Sequence, residues 1–300
     1  MDHVKTILVA TDHTEHARRA ELRAGMLGDE LSAETLEVIS ARPARAEPGT
    51  AARLHGAGAL RRESLTARPT PSRCEIGTSN VRALWTGPAP AVIADRADDI
   101  GADLTIVAGK RPSFLADLVA RFWDDELIRL SDRPVLLVNR EPETAYRKVL
   151  VGVDFSAESM QAARMALALA PTAQFTFLHV FRIADEDMMR EHEVPLDAIH
   201  ACRTRARETA RRKLNGFIET LGPRRQLVSR AIEHGMPAPV IHAHAGRIHA
   251  DLIAVGKHGK SRFVELFLGS VTQRLIEYGA CDLLVNTSPR AEDPDLPPAA

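Results

Sequence analysis

The sequence predicts two similar α/β domains in tandem, each built on a mostly parallel, doubly wound sheet. Apolar, β-rich runs alternate with helical stretches along the chain, which is typical of parallel sheets covered by helices on both faces. The sequence also repeats itself. KTILVATD at residues 5–12 resembles RKVLVGVD at 147–154, and ADLTIVAGK at 102–110 resembles ADLIAVGKH at 250–258.

The later part of the repeat keeps a constant spacing, which indicates a duplication. An offset of 148 residues places Gly87 on Gly235 and Leu136 on Leu284. An ungapped match over roughly 50 residues is not expected by chance. A short polar linker containing proline separates the two copies. We therefore predict a first domain at residues 1–140, a second domain at 147–288, and a disordered tail at 289–300 that is rich in proline and acidic residues.

Apolar periodicity and helix start and stop signals predict the elements of the second domain. Ser156 is suited to cap a helix because its hydroxyl can accept a backbone N–H, and Pro171 ends that helix. In chain order the elements are strand 149–153, this helix, strand 175–181, helix 195–221, strand 226–232, helix 239–248, strand 252–255, a helix after Ser270 and strand 283–286.

The first domain is less regular between its second and third strands. We predict the second strand at Leu36–Ala41 and the third at about Ser72–Ile76. Residues 42–71 are rich in Ala, Gly, Pro and Arg, so they are predicted to form a loop with at most a short helix near Leu60–Leu65.

Composition argues against several classes of partner. The formal net charge is −1, so no long-range field attracts nucleic acid or an anionic membrane. No run of about 20 apolar residues is present to span a bilayer, and residues 1–5 lack the apolar core of a signal peptide. Cys74, Cys202 and Cys281 are odd in number and widely spaced. We therefore expect a cytoplasmic protein in a reducing compartment.

Gly259-Lys260-Ser261 follows an apolar strand and suggests the end of a phosphate-binding P-loop. A P-loop requires another glycine five residues before Gly259. That position is Ala254, and Gly256 lies two residues too late. Lys260 and Ser261 are therefore interpreted as an exposed pair beside the site rather than as a P-loop.

A second spacing of glycines favours an anion site at a helix start. Gly269 has no side chain to block an anion, and Ser270 with Gln273 has the spacing of a capping box. We predict a helix that begins at Val271 and ends before Gly279, because glycine readily takes the left-handed conformation that follows a helix. The N-terminus of such a helix offers backbone N–H groups and partial positive charge.

Two strand ends complete this predicted cradle. Gly256 ends a strand where the backbone must turn without a Cβ in the way, and Gly259 follows it closely. Asp154 ends the first strand of the same domain and supplies a carboxylate suited to a ribose hydroxyl or a base amino group. In open α/β sheets, ligands bind at the carboxyl ends of the strands beside the topological switch point.

The spacing Gly256-x2-Gly259-x9-Gly269-Ser270, between ADLIAV and VTQRLI, resembles the ATP-binding signature of the universal stress protein family. VLVGVDFSAES at 149–159 resembles the first strand of that family, with its Asp, and FLHVF at 177–181 resembles the second strand. The resemblance spans nearly all of 147–287 and, more weakly, 4–139. The chain is thus similar to a tandem universal stress protein.

This resemblance implies a five-stranded parallel sheet of order 3-2-1-4-5 in each domain, with ATP and Mg²⁺ across the ends of strands one and four. Asp154 would contact the adenosine moiety, and the backbone of Val180 would contact adenine. The residues that would hold or flank the ribose and phosphates are Val255, Gly256, Gly259, Gly269, Ser270 and Val271. The resemblance also implies that the fifth strands pair, here Val135–Val138 with Leu283–Asn286 within one chain, and leaves a homodimer open.

The first copy departs from the signature. The offset of 148 puts Ala108, Arg111, Arg121 and Phe122 at its four positions, and a register that starts from Gly109 gives Pro112, Phe122 and Trp123. A bulky Arg121 or Phe122 at the helix start would fill the space of a phosphate. Asp12 is retained, but we expect the first domain not to bind ATP in the manner of the family. It would act as the pseudo-dimer partner of the second domain or as a regulator without a ligand.

Three functions stay open, and none has catalytic residues that the sequence identifies. The leading one is a stress-response regulator that binds ATP in the second domain and acts on protein partners. The second is an ATPase or a phosphate-transfer enzyme. Its turnover would be slow, because no general base or arginine finger is evident beside the phosphates. The third is a nucleotide-free scaffold. No metal site is predicted, since His242 and His244, two apart on a helix, point about 200° from each other.

Overall fold

Strands and helices alternate through both halves of the chain. The computed structural model describes residues 4–11, 14–42, 82–86, 89–109, 117–183, 186–192, 194–222, 226–257, 268–279 and 281–287. The first half contains β1 (Thr6–Thr11), α1 (Arg18–Leu31), β2 (Thr35–Arg42), β3 (Arg82–Thr86), α2 (Ala89–Asp99), β4 (Leu104–Ala108), α3 (Asp117–Leu130) and β5 (Val135–Val138). The second half contains β6 (Lys148–Gly152), α4 (Ala157–Leu169), β7 (Gln174–Phe181), α5 (Glu186–Glu191), α6 (Leu196–Thr220), β8 (Val228–His234), α7 (Pro237–Ile248), β9 (Leu252–Gly256), α8 (Ser270–Tyr278) and β10 (Asp282–Asn286).

The strands form one sheet of order β3-β2-β1-β4-β5-β10-β9-β6-β7-β8. Within each half the neighbouring strands are parallel and follow the order 3-2-1-4-5, which confirms the predicted fold class. The halves meet where β5 and β10 pair antiparallel, with Leu136 opposite Leu284. The two fifth strands therefore pair within a single chain.

Helices cover both faces of the sheet. On one face α1, α4 and α6 bury apolar residues such as Ala20, Ala163 and Phe217 against the strands. On the other face α2, α3, α7 and α8 do so, with residues such as Ile93 and Leu127. Because both faces are buried, the central strands are continuously apolar rather than alternating. The described part of the chain contains no helix that is both long and apolar enough to cross a membrane.

Equivalent side chains hold the first strand of each half. Asp103 Oδ2 accepts hydrogen bonds from the amides of Lys5 and Thr6 at 2.8 and 3.0 Å. Asp251 Oδ2 accepts from the amides of residues 147 and 148 at 2.8 and 2.9 Å. The offset of 148 relates Asp103 to Asp251, so the sequence repeat is also a repeat of contacts.

The elements of the second half lie within two residues of their predicted bounds. Ser156 is the N-cap of α4, and its hydroxyl accepts from the amide of Ser159. One element was not predicted, the six-residue helix α5.

The third strand of the first half is a correction. It is Arg82–Thr86, which pairs with β2, and not Ser72–Ile76, which lies outside the described residues, as does the predicted short helix at Leu60–Leu65. The repeat offset carries β8 onto residues 80–86, so the duplication predicts this strand better than local composition does. The predicted tail at 289–300 is also outside the described residues.

The linker between the halves is tied down by buried polar groups. Tyr146 donates to Asp282 Oδ2 at 2.7 Å, and the Arg23 guanidinium lies 4.0 Å from the centre of the Tyr146 ring. Asp282 Oδ1 accepts from the amides of Asn139 and Arg140 at 2.9 and 3.1 Å. Burial raises the pKa of Asp282, and it raises the pKa of Tyr146 well above its usual value.

Candidate functional site

The predicted site lies at the carboxyl ends of β6 and β9. These strands are neighbours, and β7 lies on the other side of β6. The helix that follows β6 covers one face of the sheet, and the helix that follows β9 covers the other. This is the topological switch point of the second half, where open α/β sheets bind ligands.

Asp154 lies in the turn that leads from β6 into α4. Its Oδ1 accepts from the Ser156 amide at 3.0 Å and from the Ser156 hydroxyl at 2.5 Å. Phe155 between them has the left-handed φ of 65°, which reverses the chain into the helix. One carboxylate oxygen therefore builds the turn. Asp154 Oδ2 makes no hydrogen bond to another described residue, and the side chain is half-buried.

Gly256 is the last residue of β9, and it has no left-handed φ. The conformational freedom of glycine is therefore not what the position requires, but the expectation that a Cβ would be in the way holds. A Cβ on Gly256 would lie 2.7 Å from Glu158 Cβ, 2.9 Å from Glu158 C and 3.0 Å from Ser159 N. The first turn of α4 thus packs directly on the strand, and this close approach is what excludes a side chain.

The start of α8 differs by one residue from the prediction. Ser270 is the first helical residue and Gly269 is the N-cap, with φ −59° and ψ 140°. The amide of Gln273 donates to Gly269 O at 3.0 Å, so the predicted capping box of Ser270 with Gln273 is not formed. The reason is that the helix begins one residue earlier, which leaves Ser270 exposed. The predicted end is confirmed, because Gly279 caps the helix with φ 53°.

Thr272 belongs to the site although the sequence did not single it out. Its buried hydroxyl donates to Gly256 O at 3.0 Å. The amide of Gly269 also donates to Lys257 O at 3.1 Å. These two bonds join the start of α8 to the end of β9. A small polar residue in the first turn, on the face toward the sheet, was the available signal.

Lys257 is buried although it carries an ammonium group. Its Nζ donates to Arg129 O at 2.7 Å and to Ser131 O at 3.4 Å, both in the first half. Burial lowers the pKa of Lys257, and the nearby Asp132 charge opposes that shift. The site is therefore bonded to the other half of the chain through this side chain.

The structure brings most of the predicted site residues together. Asp154 follows β6, Val180 lies near the end of β7, Val255 and Gly256 end β9, and Gly269, Ser270 and Val271 lie at the start of α8. Gly259 lies outside the described residues, as do Lys260 and Ser261.

In the described part of the first half, no helix starts at the position that the repeat relates to the start of α8. Helix α3 begins at Asp117, five residues before position 122, which the repeat relates to Ser270. Arg121 and Phe122 therefore lie inside a helix, and the expectation that they stand at its start is wrong. The segment contains no glycine and is rich in good helix formers, so the helix extends backwards. Asp12, Arg111 and Pro112 lie outside the described residues.

The histidines of α7 have other partners. His244 Nδ1 lies 2.6 Å from Glu233 Oε1, and the His242 ring lies 4.5 Å from that of Tyr278. Among the residues that the structure describes, no group of three or more His, Cys, Asp or Glu side chains could hold a metal ion.

Comparisons with known proteins agree with this architecture. Residues 3–139 and 145–286 each match the model of the universal stress protein family. Universal stress protein E of Escherichia coli K12 is 24% identical over 220 residues, which is 68% of this chain and 67% of that protein. Universal stress protein MJ0531 of Methanocaldococcus jannaschii is 27% identical over 157 residues, 51% of this chain and 89% of that one.

Solved structures show the same fold across most of the chain. The crystal structure of a universal stress protein from Archaeoglobus fulgidus has a TM-score of 0.59 at 16% identity, and covers 95% of this chain and 98% of its own. A functionally unknown protein from Pseudomonas aeruginosa PAO1 has a TM-score of 0.62 at 16% identity, with coverage of 94% and 92%. At this identity the likeness establishes the fold alone.

Proposed function

The chain belongs to the universal stress protein family, and from that premise we propose that its second half binds one ATP with Mg²⁺. The nucleotide lies across the carboxyl ends of β6 and β9. Binding makes the protein a nucleotide-dependent regulator of the stress response in the cytoplasm, and its output is contact with protein partners.

The start of α8 is the observation that carries this proposal. The first amides of a helix have no intrahelical acceptor, and together they bear partial positive charge. No acidic side chain lies in the first turn of α8, Ser270 is exposed, and Gly269 adds no side chain in front of the helix. Among the described residues of this helix start, no side chain stands between an anion and these amides. Thr272 fixes this helix start against β9, so the donors are held in place before a ligand arrives.

The other end of the site suits an adenosine group. Leu178 O accepts from the amide of Val153, so Leu178 directs its backbone groups toward β6. Val180 is two residues further along and directs its N–H and C=O to the same side, beyond the paired part of β6. These groups can bond the edge of a base, and Asp154 Oδ2 can accept from a ribose hydroxyl. Phosphates would then reach α8, as the family resemblance implies.

Binding can be tested by calorimetry of the full chain with ATP and Mg²⁺. We expect one site per chain, and an adenine nucleotide that co-purifies in native mass spectra. Gly269→Val should abolish binding, because the side chain would stand in front of the helix start. The backbone angles at Gly269 suit any residue, so the fold should be kept.

Phe122→Ala is the matched control at the position that the repeat relates to Ser270. It should leave the affinity unchanged, and alanine is preferable to glycine because this residue lies within α3. Absence of ATP binding by the parent protein would refute the proposed function. Equal loss of affinity in both variants would show that the site is not confined to the second half.

A further inference from the structure

Lys257 is a charged side chain that crosses from one half of the protein to the other. It is only 4% exposed, and its Nζ donates to the carbonyl oxygens of Arg129 and Ser131 at 2.7 and 3.4 Å. These carbonyls lie in the last turn of α3 and directly after it. The C-terminal end of a helix attracts a cation, and a buried ammonium needs such acceptors to offset the loss of water.

The backbone of the same residue holds both sides of the proposed nucleotide site. Its amide donates to Asn286 O at 2.9 Å, and its carbonyl accepts from Gly269 at 3.1 Å. The preceding residue is Gly256, whose carbonyl accepts the Thr272 hydroxyl. A shift of Lys257 therefore displaces the end of β9 and the start of α8 together.

This connection runs in one direction only. The offset of 148 relates Lys257 to Gly109, and the amide of Gly109 donates to Val138 O at 3.0 Å, just as the amide of Lys257 does to Asn286 O. The backbone arrangement is thus repeated, but Gly109 has no side chain to reach the opposite half. The contact is therefore made by a side chain of the second half, which carries the proposed nucleotide site, and it has no equivalent from Gly109 in the first half.

We propose that Lys257 couples the C-terminal end of α3 in the first half to the nucleotide site of the second half. The proposal rests on the proposed function for the identity of the ligand. Lys257 is a positioning residue, since its side chain contacts the first half and acts on the ligand through Gly256 and Gly269. Coupling is reciprocal for binding free energies. If the end of α3 affects the affinity for nucleotide, then nucleotide bound in the second half must in turn order the end of α3.

Hydrogen exchange with mass spectrometry tests this coupling on the full chain. Lys257→Met keeps the length of the side chain and removes its charge and donors, and Lys213→Met is the control at an exposed lysine of α6. Without nucleotide, Lys257→Met should speed exchange about tenfold or more in residues 127–133 and in 269–275, and the control should change neither. This arm is independent of any ligand.

The second arm adds ATP with Mg²⁺. In the parent protein, nucleotide should slow exchange in residues 127–133, although they belong to the first half. Lys257→Met should abolish that distant protection and weaken ATP binding about tenfold, within the range usual for coupled sites. If this variant does not fold, Lys257→Gln, which keeps a donor, takes its place.

The outcomes separate the two proposals. Exchange that rises in both segments without nucleotide, in a protein that binds no ATP, would refute the proposed function and support the coupling. The coupling is refuted if Lys257→Met alters exchange only near residue 257. It is also refuted if the variant melts at a lower temperature but keeps both its ATP affinity and the slowing of exchange by nucleotide in residues 127–133. In either case the role of Lys257 is structural.

Discussion

Replacing Gly256 with alanine should destabilise the protein in the absence of any nucleotide. The strand β9 and the first turn of α4 are in contact at this residue. The added Cβ would meet Glu158 Cβ at 2.7 Å, Glu158 C at 2.9 Å and Ser159 N at 3.0 Å. Two of these three atoms are backbone, so no rotation of a side chain can remove the conflict, and α4 must move away from the sheet.

The size of the effect follows from two opposing contributions. Overpacking of a closely packed interior typically costs 1–3 kcal/mol, taken here as about 2.5 kcal/mol because backbone has to move. Alanine restricts the unfolded chain more than glycine does, which returns roughly 0.5–1 kcal/mol. The net loss is about 2 kcal/mol in the free energy of unfolding. In a large domain it lowers the melting temperature by roughly 4 °C or more.

Gly246→Ala is a matched control in the same half. Gly246 lies within α7, and a Cβ there would meet nothing within 4 Å. The same substitution should therefore raise stability, by about 0.5–1 kcal/mol. Urea denaturation of nucleotide-free protein measures both variants. The reasoning about close approach is wrong if Gly256→Ala is as stable as the parent, or if it loses stability only when nucleotide is present.

Two further predictions concern the buried groups where the halves meet. Tyr146→Phe removes the donor 2.7 Å from Asp282 Oδ2, which should cost about 1–3 kcal/mol in urea denaturation. That loss should shrink as the pH falls through the Asp282 titration, because the bond favours the ionised carboxylate; a loss independent of pH would contradict this. Burial raises the pKa of Cys281 from 9.0 to about 12, so iodoacetamide at pH 8 should label the half-buried Cys202 and spare Cys281 until urea unfolds the chain, as read by peptide mass spectrometry. The Cys281 thiol ionises at lower pH in the unfolded chain than in the folded one, so the parent should lose stability as the pH rises from about 9 to 12. Cys281→Ala should lose less stability over the same range. Equal losses in both proteins would show that another group causes the loss.

The fold could be predicted because the repeat and the apolar pattern are global signals. One offset carries β9 onto β4 and β10 onto β5, so an element that is clear in one half predicts its counterpart. Local signals were weaker. Strand β3 was misplaced because local composition, and not the repeat offset that carries β8 onto residues 80–86, was used to place it. The six residues of α5 are too few to show a helical period.

The site could be predicted only as far as the chain order of its residues. The sequence gives the spacing of Gly256 and Gly269, but not that α4 presses on the first of them. The start of α8 shifted by one residue because both Gly269 and Ser270 are acceptable N-caps. Lys257 could not have been predicted, since its acceptors are backbone carbonyls about 130 residues earlier in the chain.

The two halves contribute differently to one structure. The backward extension of α3 removes the helix start that would face a phosphate, yet β5 is still required, because without it β10 would be an exposed edge strand of apolar residues. The packing of the first half is thus needed whether or not it binds a ligand. The Lys257 ammonium then adds to that pairing a contact that begins inside the proposed nucleotide site. Under the proposed coupling, this contact would be the route by which the first half influences nucleotide binding in the second.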